Sequence, residues 1–395
     1  MNPEIEFWAI RSTAGDIQKL LAQFEAEHRI HVRVRLLDWD TAWAELMKVA
    51  LYKHGPDVCE IGSTWLGDLV TMNALHPLSS RDINRIGSSW SFINSAWQST
   101  RLAGEPETWA IPWMTEARLL FYRRAWIEKA GLDPHDAFRN SQAFVQSLAA
   151  LAACGAPVPW VIPTEVTRAM LHNAASWMWS AGGDFISPDG KHVVFNSDQA
   201  RAGLREHFSL GRYLAPAVHR LGSIESDQRF AQDSNAAIAL AGPWILRMVD
   251  PGALSQIDLS MPPVPSFVGG SHLVIWKHSS KIELVLKFVA FLSNTQQQVD
   301  YSVRIGHLPA TLSALASAPF STDPLWQMAA HSLHTGRTFP ATRSWGLIED
   351  RLATEFGAIW EKVFADPDLD LDAVLKERLD TLAEQIDPLL SQPQS

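Results

Sequence analysis

The chain has 395 residues, 47% of them apolar and 19% charged, and carries a formal charge of −10. That is too long for one ordinary core and too apolar for extended disorder, so two lobes of about 150 to 200 residues each are expected. The acid excess, with no long basic block, excludes a phosphate-neutralising surface for nucleic acid. No apolar run reaches the roughly 18 residues of a membrane span, and Cys59 and Cys154 have no metal or redox spacing.

Glu4 to Arg11 (EIEFWAIR) alternates and predicts a strand, after which Ser12-Thr13 can cap a helix with Ile17, Leu20, Leu21 and Phe24 on one face. Val32 to Leu37 is a second strand, and Asp40 opens a helix carrying Trp43, Leu46, Met47 and Ala50. Pro56 to Ile61 is a third strand, and Ser63 or Thr64 caps the helix through Leu66, Leu69 and Met72. Strands alternating with helices predict parallel βαβ units, whose ligands sit beyond the carboxyl ends of the strands. That rule points to Arg11, Trp39 and the Ser63-Thr64-Trp65 turn.

Trp109-Ala-Ile-Pro112 is an apolar run stopped by proline, Glu116 to Tyr122 reads as a new strand, and Trp126 to Ala130 is a helix closed by Gly131. A crossing between lobes is expected near Pro112–Glu116. Helices follow over Gln142–Ala153 and Thr167–Ala181, with a strand over Val158–Pro163 between them and a hairpin from Gly182 to Phe195. Asn196 caps a helix running to about Gly211, Ala236 to Ala241 is a buried strand, and Gly242-Pro-Trp opens the next helix. The stiff Pro262-Pro-Val-Pro265 places the second crossing at Pro265–Ser271. Helices over Ile282–Leu292, Thr295–Ile305, Leu347–Phe364 and Asp372–Leu389 complete the chain.

AIPWMTEARLLFYRRAWIEKAGLDP, from Ala110, resembles the hinge segment of the family 1 extracellular solute-binding proteins, the sugar-binding receptors of ATP-binding-cassette importers. PDVCEIGSTWLGDLV from Pro56, followed by Ala74-Leu-His-Pro-Leu78, is similar to the family's third strand, turn and helix. WSAGGDFISPDG, VFNSDQA and AAIALAGPW occur in its second-lobe order, and KIELVLKFVAFLSNTQQQVDYSVRIGHLPA resembles its helix pair. The resemblance covers the chain from Glu4. It implies an α/β, two-lobed periplasmic-binding-protein-like fold of type II with the ligand cleft between the lobes. Lobe 1 is expected over residues 1–112 and 271–319, and lobe 2 over 113–270 and 320–395.

Sugar binding needs flat apolar faces for the pyranose C–H faces and polar groups that saturate its hydroxyls. Of the 17 tryptophans, Trp39, Trp65, Trp113, Trp244 and Trp345 lie at strand ends or loops, and two or three of them are expected to be platforms. Trp43, Trp97, Trp126, Trp326 and Trp360 lie in helical patterns and are expected to pack. Trp177 and Trp179 are two apart on a helix and cannot share a face, so at most one points at the ligand, and Trp179 is taken as that one with Asp184. The resemblance makes Glu116 the acceptor of sugar hydroxyls and Arg343 its donor counterpart, with Trp345 beside it. Gly270 lets backbone approach a ligand. Ser271 and His272 stand where the family often has an aromatic residue, and His272 is either a ligand contact or a structural histidine.

The function the resemblance implies is capture of a carbohydrate between the lobes, closure around it, and delivery to the permease subunits of an ABC transporter by a monomer that needs no cofactor and no metal. A glycosidase using two of Glu116, Asp68 and Asp184 is the alternative enzyme reading. No secretory signal opens the sequence, so an extracytoplasmic mature chain and a cytosolic sugar sensor of the same fold both stand.

Overall fold

The computed structural model describes residues 3–10, 14–343 and 345–390. In chain order the strands are β1 (Glu4–Ile10), β2 (His31–Leu37), β3 (Val58–Gly62), β4 (Ile111–Ala117) and β5 (Leu119–Arg123). They continue with β6 (Ile238–Ala241), β7 (Ile257–Ser260), β8 (Val268–Ile275) and β9 (Leu308–Pro309). The first three helices are α1 (Ala14–His28), α2 (Trp39–Tyr52) and α3 (Leu66–Thr71). The chain divides into two compact units, one of Met1–Glu116, Gly269–Ala330 and Thr338–Gly346, the other of Ala117–Val268, His331–Arg337 and Leu347–Ser395.

The first unit is built on a sheet in the order β2-β1-β3-β8-β4-β9. β1 pairs in parallel with β2 from Glu4↔His31 to Ile10↔Leu37 and with β3, as the strand and helix alternation predicts, whereas β8 joins β3 antiparallel. Because successive side chains point to opposite faces, β1 serves two cores. Ile5, Phe7 and Ala9 pack with Phe24 of α1, Trp113, Phe288 and Tyr301 on one face. Trp8 and Ile10 pack with Leu46 of α2, Leu69 of α3, Trp65 and Trp276 on the other.

Helix α2 starts at Trp39, one residue before the expected Asp40, with the Asp38 carbonyl accepting from the Ala42 N–H at 2.7 Å. Trp39 is thereby a residue of the first helical turn. Thr338–Gly346, expected in lobe 2, lies with the first unit: the Ala103 N–H donates to the Ala341 carbonyl at 2.8 Å, and Gly67 of α3 faces the Thr342 carbonyl so closely that a Cβ would overlap it. Gly67→Ala should therefore cost about 1 to 3 kcal/mol by overpacking, measured by denaturant unfolding against the unsubstituted chain.

The second unit holds the antiparallel sheet β6-β5-β7, with Leu119↔Ala241 and Leu120↔Ser260 in register. The expected strand over Glu116–Tyr122 is two strands. Arg118 is the break, because its N–H donates to Ser266 Oγ at 2.7 Å and its carbonyl accepts from the same hydroxyl at 2.9 Å, which removes both groups from a ladder. The expected strand over Val158–Pro163 is reduced to two parallel bridges, Val158↔Ala236 and Val161↔Ala239. Pro159 and Pro163 lack the N–H a continuous ladder needs. Thr167 caps the helix Arg168–Ser180 by accepting from the Met170 N–H, and its Trp177 packs near Phe144 and the buried His207. The helices Trp345–Ala365 and Leu371–Leu390 match the two long helical patterns to within a few residues.

Candidate functional site

In the first unit Trp39 and Trp43, both on α2, are half-exposed, with Trp39 set edge-on to the buried Trp65 at 5.4 Å. The Trp43 Nε1–H donates to Asp68 Oδ2 at 3.2 Å, so α2 and α3 jointly hold an indole beside a carboxylate. The spacing of four between Trp39 and Trp43 puts them on one helical face. That signal is in the sequence, and Trp43, expected to pack, does pack against the core while keeping part of its surface open.

In the second unit Trp244 is half-exposed, its Nε1–H donates to Asp227 Oδ2 at 2.8 Å, and the Arg118 guanidinium lies over its ring at 4.7 Å. Trp179 has the same kind of surroundings. Its Nε1–H reaches Asp184 Oδ1 at 3.3 Å, and Arg337, paired to Asp184 Oδ2 at 2.7 Å, sits 5.1 Å from the ring. Trp179 itself is buried, with the edge of Phe185 against it. Of these two indoles Trp244 is the more open, and Asp184 is committed to Trp179 and Arg337. No local pattern marks Arg118, Asp227 or Arg337, which come to the indoles only through tertiary folding.

Several expected site residues have other employment. Trp113 is 1% exposed and stacks on Tyr301 at 5.0 Å with Phe7 edge-on at 5.8 Å, so it is a core residue of the first unit and not a ligand platform. Trp345 is buried and stacks on Phe339 at 4.4 Å. Arg343 gives two parallel bonds of 2.8 Å to Glu105, which places a protein carboxylate where a sugar hydroxyl was expected. The close approach that Gly270 permits is to the Met114 carbonyl of β4, and its φ of 145° suits glycine. His272 is buried, with Nε2 3.0 Å from Ser99 Oγ, and burial pushes its pKa down to about 4, which answers for the structural histidine.

Ser63 is buried, Thr64 and Glu116 are half-buried, and Arg11 lies outside the described residues. Ser271 is buried beside Glu60 of β3, a carboxyl that no local sequence pattern marks. Glu60 Oε2 accepts the Ile10 N–H at 2.7 Å, and burial drives its pKa up to about 7 against the pull of that bond and the nearby Ser271 hydroxyl. The Ser271 hydroxyl lies close to Glu60 without making a well-aligned hydrogen bond. Among the described residues no group of three or more His, Cys, Asp or Glu is arranged to hold a metal ion.

Residues 19–329 match the family of bacterial extracellular solute-binding proteins. Among solved structures the chain is similar to an ABC transporter solute-binding protein from Thermotoga lettingae bound with alpha-D-tagatose, at 18% identity over 98% of this chain and 100% of that one, with a TM-score of 0.87. It is similar to the GacH receptor of Streptomyces glaucescens, solved unliganded and with acarbose, at 18% identity over 97% and 99% of the two chains, TM-score 0.83. The sugar-binding protein MalE of Xanthomonas citri follows at 22% identity over 98% and 97%, TM-score 0.80. At these identities the likeness is one of fold, the α/β periplasmic-binding-protein fold expected from the sequence. No curated protein matches the chain.

Proposed function

Because the chain belongs to the bacterial extracellular solute-binding proteins, we propose that it captures a carbohydrate and delivers it, as a monomer, to the permease of an ABC importer. In this reading the two units are the receptor's lobes, and the mature protein works outside the cytoplasm. The family is one of binding proteins, so the glycosidase alternative falls away.

The observation that carries the reading is the half-exposed indole fixed by a carboxylate, present in each unit as Trp43 with Asp68 and Trp244 with Asp227. An indole held this way offers a flat apolar face at small entropic cost, and a carboxylate beside it can accept sugar hydroxyls. Relatives of the same fold that bind tagatose and acarbose support the same solute class.

A thermal-shift screen against mono- and oligosaccharides tests it. A sugar at 100 times its dissociation constant should add about 2.7 kcal/mol of stability. Trp244→Ala should then weaken binding of that sugar about tenfold or more, a loss of roughly 1.4 kcal/mol, with little change in unfolding temperature. The sugar should be recovered intact after prolonged incubation. Shifts produced only by amino acids, peptides or polyamines would overturn the carbohydrate reading.

A further inference from the structure

One edge of the first unit departs from the acidic character of the chain. Helix α2 buries Ala42, Leu46, Val49 and Ala50, yet its last turn exposes Leu51 (64%) and Tyr52 (72%), two apolar side chains on the side that faces water. Lys53 follows in a left-handed conformation, φ 53°. Two further segments adjoin this turn. His278 Nε2 lies 3.4 Å from the Gly55 carbonyl, and Lys277 Nζ donates to Asn73 Oδ1 at 2.6 Å, which brings the exposed Met72 into the same edge.

Within Leu46–Gly55, Met72–Leu78 and Trp276–Lys281 there are four lysines, three histidines and no aspartate or glutamate, in a chain of net charge −10. Lys48 and Lys281 are paired with Glu45 and Asp57. Among the described residues Lys53 and Lys277 have no ion-pair partner, and both are exposed. Trp90 is more exposed still at 77%, but it sits among Ser88, Ser89 and Ser91, a run without lysine or arginine.

We propose that this edge of the first unit rests on an anionic phospholipid surface. A tyrosine with an aliphatic neighbour suits the headgroup boundary, where the ring is apolar and the hydroxyl stays wet, and lysines lay their stems along apolar surface while the ammonium reaches phosphate. Three exposed apolar side chains fall far short of the roughly 800 Å² per partner of a specific protein interface. They are enough for weak, reversible interfacial contact when charge attraction adds to it. The acid excess elsewhere repels the same lipid, so the attraction also selects which edge faces the membrane. The contact is independent of the solute bound.

Sedimentation of the full chain with vesicles of phosphatidylcholine, with and without phosphatidylglycerol, tests the proposal. Binding is expected only with phosphatidylglycerol and at low salt, and should fall as salt rises. Lys53→Gly and Lys277→Gln should each lower partitioning about fivefold, and the double variant Leu51→Ser, Tyr52→Ser should lower it further. Lys53→Gly controls for folding, since glycine suits a positive φ and the unfolding temperature should hold or rise. No uptake by phosphatidylglycerol vesicles, or uptake equal in all variants, overturns the proposal. So does self-association of the chain through Tyr52 and Leu51 without lipid uptake, which would make the edge a protein contact.

Discussion

Replacing Trp113 by alanine is expected to remove about 3 to 5 kcal/mol of stability from the first unit. The indole lies in the core between Phe7 of β1 and Tyr301, and the carbonyl of Trp113 accepts the Gln298 side-chain amide at 2.8 Å. Truncation loses the transfer energy of a fully buried aromatic and leaves a cavity that the sheet on one side and the helix Thr295–Ile305 on the other cannot close without moving. Denaturant unfolding should show the loss as a lower midpoint at unchanged slope. A loss under about 1 kcal/mol, the scale of an ordinary surface change, with sugar affinity abolished, would return Trp113 to the ligand.

The second large effect is a pH dependence. Glu60 is pushed by burial from the usual 4.5 up to about 7 in the folded protein. Below the unfolded value both states hold the proton and the carboxyl is accommodated at no penalty. As pH rises the unfolded chain releases the proton first, so stability is lost progressively until the folded group also ionises. The full difference is on the order of 3 kcal/mol. Among the described residues the groups that bear on Glu60 are the Ser271 hydroxyl, the Ile10 N–H and the thiol of Cys59, none of them a cation.

His207 and His272 act in the opposite direction, because burial holds them at about 3 and about 4 against an unfolded 6.5, and stability is lost as pH falls below that value. Wild-type stability should peak in the mildly acidic range. Glu60→Gln keeps an acceptor for the Ile10 N–H and removes the charge, so its stability relative to wild type should grow by roughly 3 kcal/mol between pH about 4.5 and about 8. A difference that stays constant over that range would show that Glu60 does not titrate as a buried, unpaired acid.

Much of the architecture was legible because it depends on local pattern. The alternation in EIEFWAI fixes a strand with two buried faces, and the helical periodicities over residues 14–28, 282–292 and 371–390 fix amphipathic helices. Where local pattern misled, a tertiary partner had intervened. The strand through Arg118 was cut by Ser266, 148 residues away in sequence, and the strand at Val158 was thinned by prolines whose effect depends on which neighbour they face.

The candidate site divides along the same line. Sequence alone determined that indoles and carboxylates are available at strand and helix ends, because residue type and spacing set what chemistry a segment can offer. Only the tertiary structure decided which indoles remain open. Trp113 and Trp345 were covered by Tyr301 and Phe339, Arg343 was taken by Glu105, and Trp244 was steadied by Arg118 and Asp227. Burial and pairing are properties of the three-dimensional neighbourhood, assembled from residues as far apart in the chain as Glu105 and Arg343, and no local pattern encodes them.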